Sequence, residues 1–226
     1  MDFLAYIIVP LLLGLWAQWK VKGTFNRWSQ VGSRSGATGK EAAEEILRAE
    51  GIANVDIERV DGFLSDHYDP ANRKLRLSSE NYDGTSVAAL GVAAHEAGHA
   101  IQHARAYAPL QLRSLLVPVT IVANQVAFWI LMLGAFVFTQ GGGAGSTMLN
   151  IAIGAYAIVT VFTLVTLPVE FDASARANRA LLAAGLLDRE ESKGAKEVLD
   201  AAAWTYIAAF VAALGNLLWL FSRREE

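Results

Sequence analysis

The chain has 226 residues, no cysteine and a formal net charge of −3, with a mean hydropathy of +0.32. That length allows one or two domains, and the near-balanced charge gives no basis for a nucleic-acid partner. Without cysteine there are no disulfides, and a bound metal must be held by histidine and carboxylate.

The apolar residues fall in four runs. The first, "FLAYIIVPLLLGLWAQW" (3–19), is uncharged and close to the roughly 17–25 residues a bilayer span needs. Asp2 stands before it and Lys20 and Lys22 after it, the reverse of a cleaved signal peptide, so residues 1–20 read as an anchor. Residues 21–114 read as a soluble portion. In it Thr38 and Glu41 have capping-box spacing and open a helix to about Ala49, with Ala42, Ile46 and Leu47 on its apolar side. "NVDIERV" and "RKLRLS" alternate apolar and charged residues and predict a small antiparallel sheet. The Asp-Gly and Asp-Pro pairs of "DGFLSDHYDP" between them mark turns. An alanine-rich helix comes next, over about 85–107, capped by Thr85 or Ser86 and ended by Pro109.

Runs at 115–139 and 149–169 form a membrane hairpin, 170–200 a polar segment, and 201–226 a last span with a short tail. The sequence therefore predicts a mainly α integral membrane protein of about four transmembrane helices with a small α+β domain. Lys20, Lys22, Arg27, Arg105, Arg113, Arg176 and Arg179 flank the first three runs on one side, while "QGGGAGST" (140–147) is uncharged. By the positive-inside rule 20–114 and 170–200 are cytoplasmic, although Arg223 and Arg224 oppose that orientation.

The alanine-rich helix carries "VAAHEAGHAIQHA" (92–104). His95 and His99, four apart, project from one face and can chelate one ion, with Glu96 one step round to act on a bound water. Chance can produce such a pattern. Against chance, His67, His95, His99 and His103 are the only histidines, and three of them on one apolar face without a ligand role would be costly to desolvate. His103 shares that face, but one straight helix cannot wrap three ligands round a tetrahedral ion, so it reads as a neighbour of the site or a surface residue. Glu170, ending the third run in "LPVEFDASARANRAL", is the better third ligand, and a carboxylate in lipid headgroups is the plain alternative. Ser174 shares Glu170's face and could orient it, whereas Asp172 faces away. Gly91 and Gly98 each weaken the helix by about 1 kcal/mol relative to alanine; close approach of the Glu170 helix would explain them, as would ordinary small-residue packing.

"SDHYDP", "AAHEAGHAIQHA" and "LPVEFDASARA", in that order between hydrophobic runs, resemble the YugP-like neutral zinc metallopeptidases of bacteria. The resemblance covers nearly the whole chain. It implies one Zn2+ held by His95, His99 and Glu170, Glu96 as catalytic base, and a zincin-like, gluzincin-type domain. The architecture is also similar to HtpX-like proteases and CAAX prenyl endopeptidases, which carry an Asp where this chain has Ser174. The resemblance further implies a multi-pass protease of a bacterial-type cell membrane, acting on membrane-proximal protein or peptide substrates. Read from the residues themselves, His67 or Tyr68 could stabilise the transition state or could serve only the turn, with His67 capping it, and the "RKLRLS" strand could offer an edge to an extended peptide. The competing reading is a zinc-binding membrane scaffold or metal handler, which would need the ligands but not Glu96.

Overall fold

The computed structural model describes residues 4–62, 65–137 and 143–224. A π-helical turn, Leu4–Ile8, leads into α1, Val9–Ser29. Thr38 caps α2, Gly39–Ala49, as a complete capping box: its hydroxyl accepts from the Glu41 N–H, and the Glu41 carboxylate accepts from the Thr38 N–H at 2.8 Å. Ala42, Ile46 and Leu47 are buried, as their spacing predicts.

The three strands are β1, Asp56–Val60, β2, His67–Asp69, and β3, Lys74–Ser78. They lie in the order β1-β3-β2, with β1 parallel and β2 antiparallel to β3. The expected purely antiparallel sheet is thus mixed. The residues read as turns supply a strand of their own, β2, which folds back on β3 through a tight connection where Arg73 takes a left-handed φ of 52°. With one side of β3 taken, β1 pairs on the other, after two reversals of the chain, and so runs parallel. The central β3 is paired on both sides, so the edge expected there for a peptide is absent; β1 and β2 are the edges. Leu75 and Leu77 point from β3 into the core at 0% exposure, while Arg76 on the opposite face meets Asp69 at 3.0 Å and Lys74 pairs with Glu58.

A short helix, α3 (Ser79–Asp83), precedes α4, Val87–Ala104. The Ser86 hydroxyl caps α4, accepting from the Ala89 N–H at 3.1 Å. The helix stops before 107 because Ala106 takes a left-handed φ of 50°. Pro109 falls instead in the first turn of α5, Ala108–Val137, where its missing N–H had no helical partner to lose.

Two very long helices complete the chain, α6, Gly143–Ala183, and α7, Arg189–Arg224. The segment expected at 170–200 is therefore the end of one helix and the start of the next. Glu170 sits inside α6, two residues after Pro168. The uncharged loop expected at 140–147 lies partly outside the described residues, and 143–147 already belong to α6. Among the described residues, three helical stretches are long and apolar enough to cross a membrane: Ala108–Ile130, Gly145–Ala183 and Arg189–Arg224. The predicted first span is not among them: residue 3 lies outside the described residues, Leu4–Ile8 form the π-helical turn, and α1 joins the remaining apolar residues to Lys20, Lys22 and Arg27.

By internal contacts the chain forms two units. One comprises Ala17–Leu110 and Pro168–Trp204; the other comprises Met1–Trp16, Gln111–Leu167 and Thr205–Glu226. The first has a core drawn from α2, β3, α4, α6 and α7, with Ile46, Leu75, Leu77, Leu90, Leu181 and Leu199 among its buried members. Each such side chain contributes roughly 1.5–3 kcal/mol by leaving water. The second packs small clusters, such as Ala123 with Ala127 and Ala155, and Ile130 with Ala152, Ile153 and Leu220.

Candidate active site

Where α4 meets α6, both helices advance by four residues, one turn, in opposite directions. One row of contacts joins His95 to Ser174 and His99 to Glu170. The neighbouring row sets Gly98 against Ala173 and Gln102 against Val169. The two helices therefore cross this site antiparallel. Gly98 makes the approach possible, because a Cβ there would stand 2.6 Å from the Ala173 carbonyl oxygen. Gly91 has a different neighbour, Ala195 of α7, whose Cβ would be 3.3 Å away. Close passage of the Glu170 helix thus explains Gly98 but not Gly91.

His95 Nε2 lies 3.2 Å and His99 Nε2 3.6 Å from the same Glu170 oxygen, Oε2. The two imidazoles stand edge to face with their centroids 4.7 Å apart. One ligand atom from each of the three residues falls within 4.8 Å of the others. Two atoms each bonded at about 2.0–2.1 Å to a tetrahedral zinc stand about 3.4 Å apart. Both histidine–glutamate distances fit that spacing, and His95, His99 and Glu170 could hold a metal ion.

The electrostatics point the same way. Glu170 is only 2% exposed, a depth at which a carboxylate needs positive charge beside it. Burial lowers the proton affinity of His99, but the hydrogen bond to Glu170 and the charges of Glu96 and Glu170 outweigh it and raise its pKa. The site's field selects for a cation, whether a proton or a metal. Glu96, next along α4, is also buried, and its carboxylate makes no hydrogen bond among the described residues.

The nitrogens turned away from Glu170 are engaged as well. His95 Nδ1 is 3.2 Å from Ser174 Oγ, and His99 Nδ1 is 3.0 Å from Gln102 Oε1. Ser174, expected to orient Glu170, reaches His95 instead. It shares a helix face with Glu170, but α4 covers that face with its own four-residue pair and takes the two residues separately. Sequence reasoning missed Gln102. This fully buried amide donates to the Val169 carbonyl and to Asp172 Oδ2, both at 2.8 Å. Asp172, expected to face away, is turned to Gln102 and also accepts from Arg176 Nε at 2.6 Å. The available signal was a lone uncharged amide one turn beyond His99 on an otherwise apolar helix.

His103 is not part of the ligand triangle. Its Nδ1 lies 2.8 Å from the Tyr68 hydroxyl, so two separately considered residues bond to each other. Burial pushes the Tyr68 phenol up in pKa, so the hydroxyl keeps its proton. His67, the neighbouring residue of β2, projects from the opposite face of the strand. It is exposed, with Nδ1 at 2.8 Å from the Ser65 carbonyl and Nε2 at 3.3 Å from Arg76.

Residues 3–224 match the family described as "Putative neutral zinc metallopeptidase". A protein of Bacillus subtilis (strain 168) named "Putative membrane protease YugP" is 42% identical over 219 residues, which is 96% of this chain and 94% of that protein. No solved structure matches.

Proposed function

Because the chain belongs to that zinc metallopeptidase family, we propose that it is a membrane-embedded zinc endopeptidase with Glu96 as its proton carrier. The observation that carries this reading is the buried triangle of His95, His99 and Glu170 beside a buried glutamate, Glu96, whose carboxylate makes no hydrogen bond among the described residues. His95 and His99 would hold one zinc through Nε2, and Glu170 through Oε2. Zinc in such a site supplies Lewis acidity, drawing the pKa of a water towards about 7 and polarising a scissile carbonyl.

The rest is the work of the chain's own groups. The Glu96 carboxylate takes the proton of the attacking water and passes it to the departing amine nitrogen. A metal handler would need the three ligands but would have no use for this base. The Tyr68 hydroxyl, on the face of β2 turned to α4, is the donor assigned to the developing oxyanion, its one proton turned there while its oxygen accepts from His103 Nδ1–H. His67, facing solvent on the other side, is not.

Three apolar helices and the membrane-protease relative support a bilayer setting. With α1 as an additional anchor there would be four spans in the cell membrane. The basic residues flanking the apolar runs favour a cytoplasmic site. Along α6, Glu170 stands three residues beyond Leu167, where the Gln111–Leu167 segment of the more apolar unit ends, which favours protein substrates exposed near the membrane.

The test is the Glu96→Gln variant, purified in detergent and given an unfolded protein. Zinc content should stay at one per chain while cleavage falls by roughly 10²–10⁴. Equal cleavage by both proteins would remove Glu96 from the mechanism.

A further inference from the structure

Gln102 is 0% exposed, and both partners of its Nε2 have a fixed hydrogen-bonding sense. The Val169 carbonyl and the Asp172 carboxylate can only accept, so both amide protons on Nε2 are committed to α6, at 2.8 Å each. Arg176 Nε at 2.6 Å holds the Asp172 carboxylate in the form that accepts. The amide cannot be turned end for end, and Oε1 must face His99 Nδ1 at 3.0 Å. An oxygen there requires the hydrogen on Nδ1, which leaves Nε2 as the nitrogen presented to Glu170. The same amide grips the carbonyl of Val169, the residue directly before Glu170.

We propose that Gln102 is the positioning residue of the metal site, fixing the Nδ1–H tautomer of His99 and the spacing between His99 and Glu170. Asp172 and Arg176 act through it by fixing the orientation of its amide. A ligand on α4 and a ligand on α6 are thereby set by one side chain that touches neither metal nor substrate. The metal this concerns is that of the proposed function, on which the inference rests.

The experiment uses full-length protein in detergent, labelled with 15N-histidine, with zinc as the probe. In metal-free wild-type protein at alkaline pH, the Nδ1 of His99 should give the resonance of a protonated nitrogen and Nε2 that of a bare one. A proton found on Nε2 alone overturns the proposal, whatever any variant does. Gln102→Met keeps the volume and removes the amide. It should mix the two tautomers and weaken zinc binding by roughly 10–100-fold in chelator competition. It should also alter the visible spectrum of the cobalt-substituted protein. Asp172→Asn replaces one of the two obligate acceptors by a group that can also donate and leaves the Val169 carbonyl as the only fixed one, so the hold on the Gln102 amide weakens and a smaller loss in the same direction is expected. Should Gln102→Met not fold, the wild-type resonances and Asp172→Asn still decide. Unchanged affinity and spectrum in folded Gln102→Met refute the positioning role. Absence of zinc binding by wild-type protein instead refutes the metal reading and leaves the tautomer measurement to judge Gln102.

Discussion

The unit that carries the site turns its apolar side chains inward and bonds its polar ones between helices; the other unit does the reverse. Leu75, Leu77, Leu90 and Leu181 are fully buried in the first, whereas Leu115 and Val122 of the second are 73% and 63% exposed. In the first, Gln102, His99 and Glu170 are linked across α4 and α6. In the second, Thr160 donates to the Tyr156 carbonyl at 2.7 Å and Thr166 to the Phe162 carbonyl at 2.8 Å, each within its own helix. Runs of similar hydropathy therefore answer to different solvents. Water drives the first unit together, and lipid can accept the outer face of the second. Polar groups that bond only one turn back leave a helix self-sufficient, while those that reach across create a site.

The largest effect should come from removing a polar bridge. Glu170→Ala is expected to abolish stoichiometric zinc, well beyond the roughly 10–100-fold cost of losing a ligand's hydrogen-bond partner. Thr160→Val should leave zinc per chain unchanged. If both variants kept their zinc, the contrast between bridging and self-contained polar groups would collapse. The next effect concerns apolar burial. Leu90→Ala should destabilise by about 2–5 kcal/mol and Val122→Ala by no more than about 0.5 kcal/mol in denaturant titrations in one detergent.

The glycines of α4 sharpen the comparison within a single helix. Gly98→Ala drives a methyl against the backbone of α6 and should cost about 1–3 kcal/mol as well as loosening zinc. Gly91→Ala brings a methyl to 3.3 Å from the Ala195 methyl with the Ala195 main chain at 3.5 Å or more, a milder contact, and its gain of about 1 kcal/mol in helix propensity should leave it near neutral. The smallest effect is the response to acid. A proton on His99 competes with metal, and its raised pKa means that competition begins above the usual value of about 6.5 for histidine. Zinc retained after dialysis should be complete on the alkaline side and fall as the pH drops through that region. A flat profile down to pH 5 would show that the two carboxylates do not favour the protonated imidazole.

The helix faces of the candidate site were legible because four-residue spacing fixes a face without knowledge of the partner. His95 with His99, and Glu170 with Ser174, each declare one stripe. What spacing cannot show is the pairing between stripes, so it assigns Ser174 to Glu170 when the serine belongs to His95. Gln102 and Asp172 were hidden for the same reason. They are 70 residues apart, and an amide carries no charge or periodicity to announce its task. In the sheet, the hidden quantity is pairing order. Alternation identifies a strand and its buried face, but the neighbour a strand takes depends on where the chain returns, and the three residues of β2 are too few to alternate visibly. Helix ends were clearer where a side chain makes the cap, as at Thr38 and Ser86, than at Ala104, where a backbone angle ends the helix.

The contact between Gly98 and Ala173 also has a consequence for how this protein can vary. Every missense change at codon 98 adds at least a Cβ, and the atom in its way is main chain, which no substitution at position 173 can trim. Position 98 therefore has no neutral neighbour in sequence space and no single compensating partner. In a saturation library selected for folded protein, position 98 should be depleted for every substitution, although its residue contributes no functional group at all.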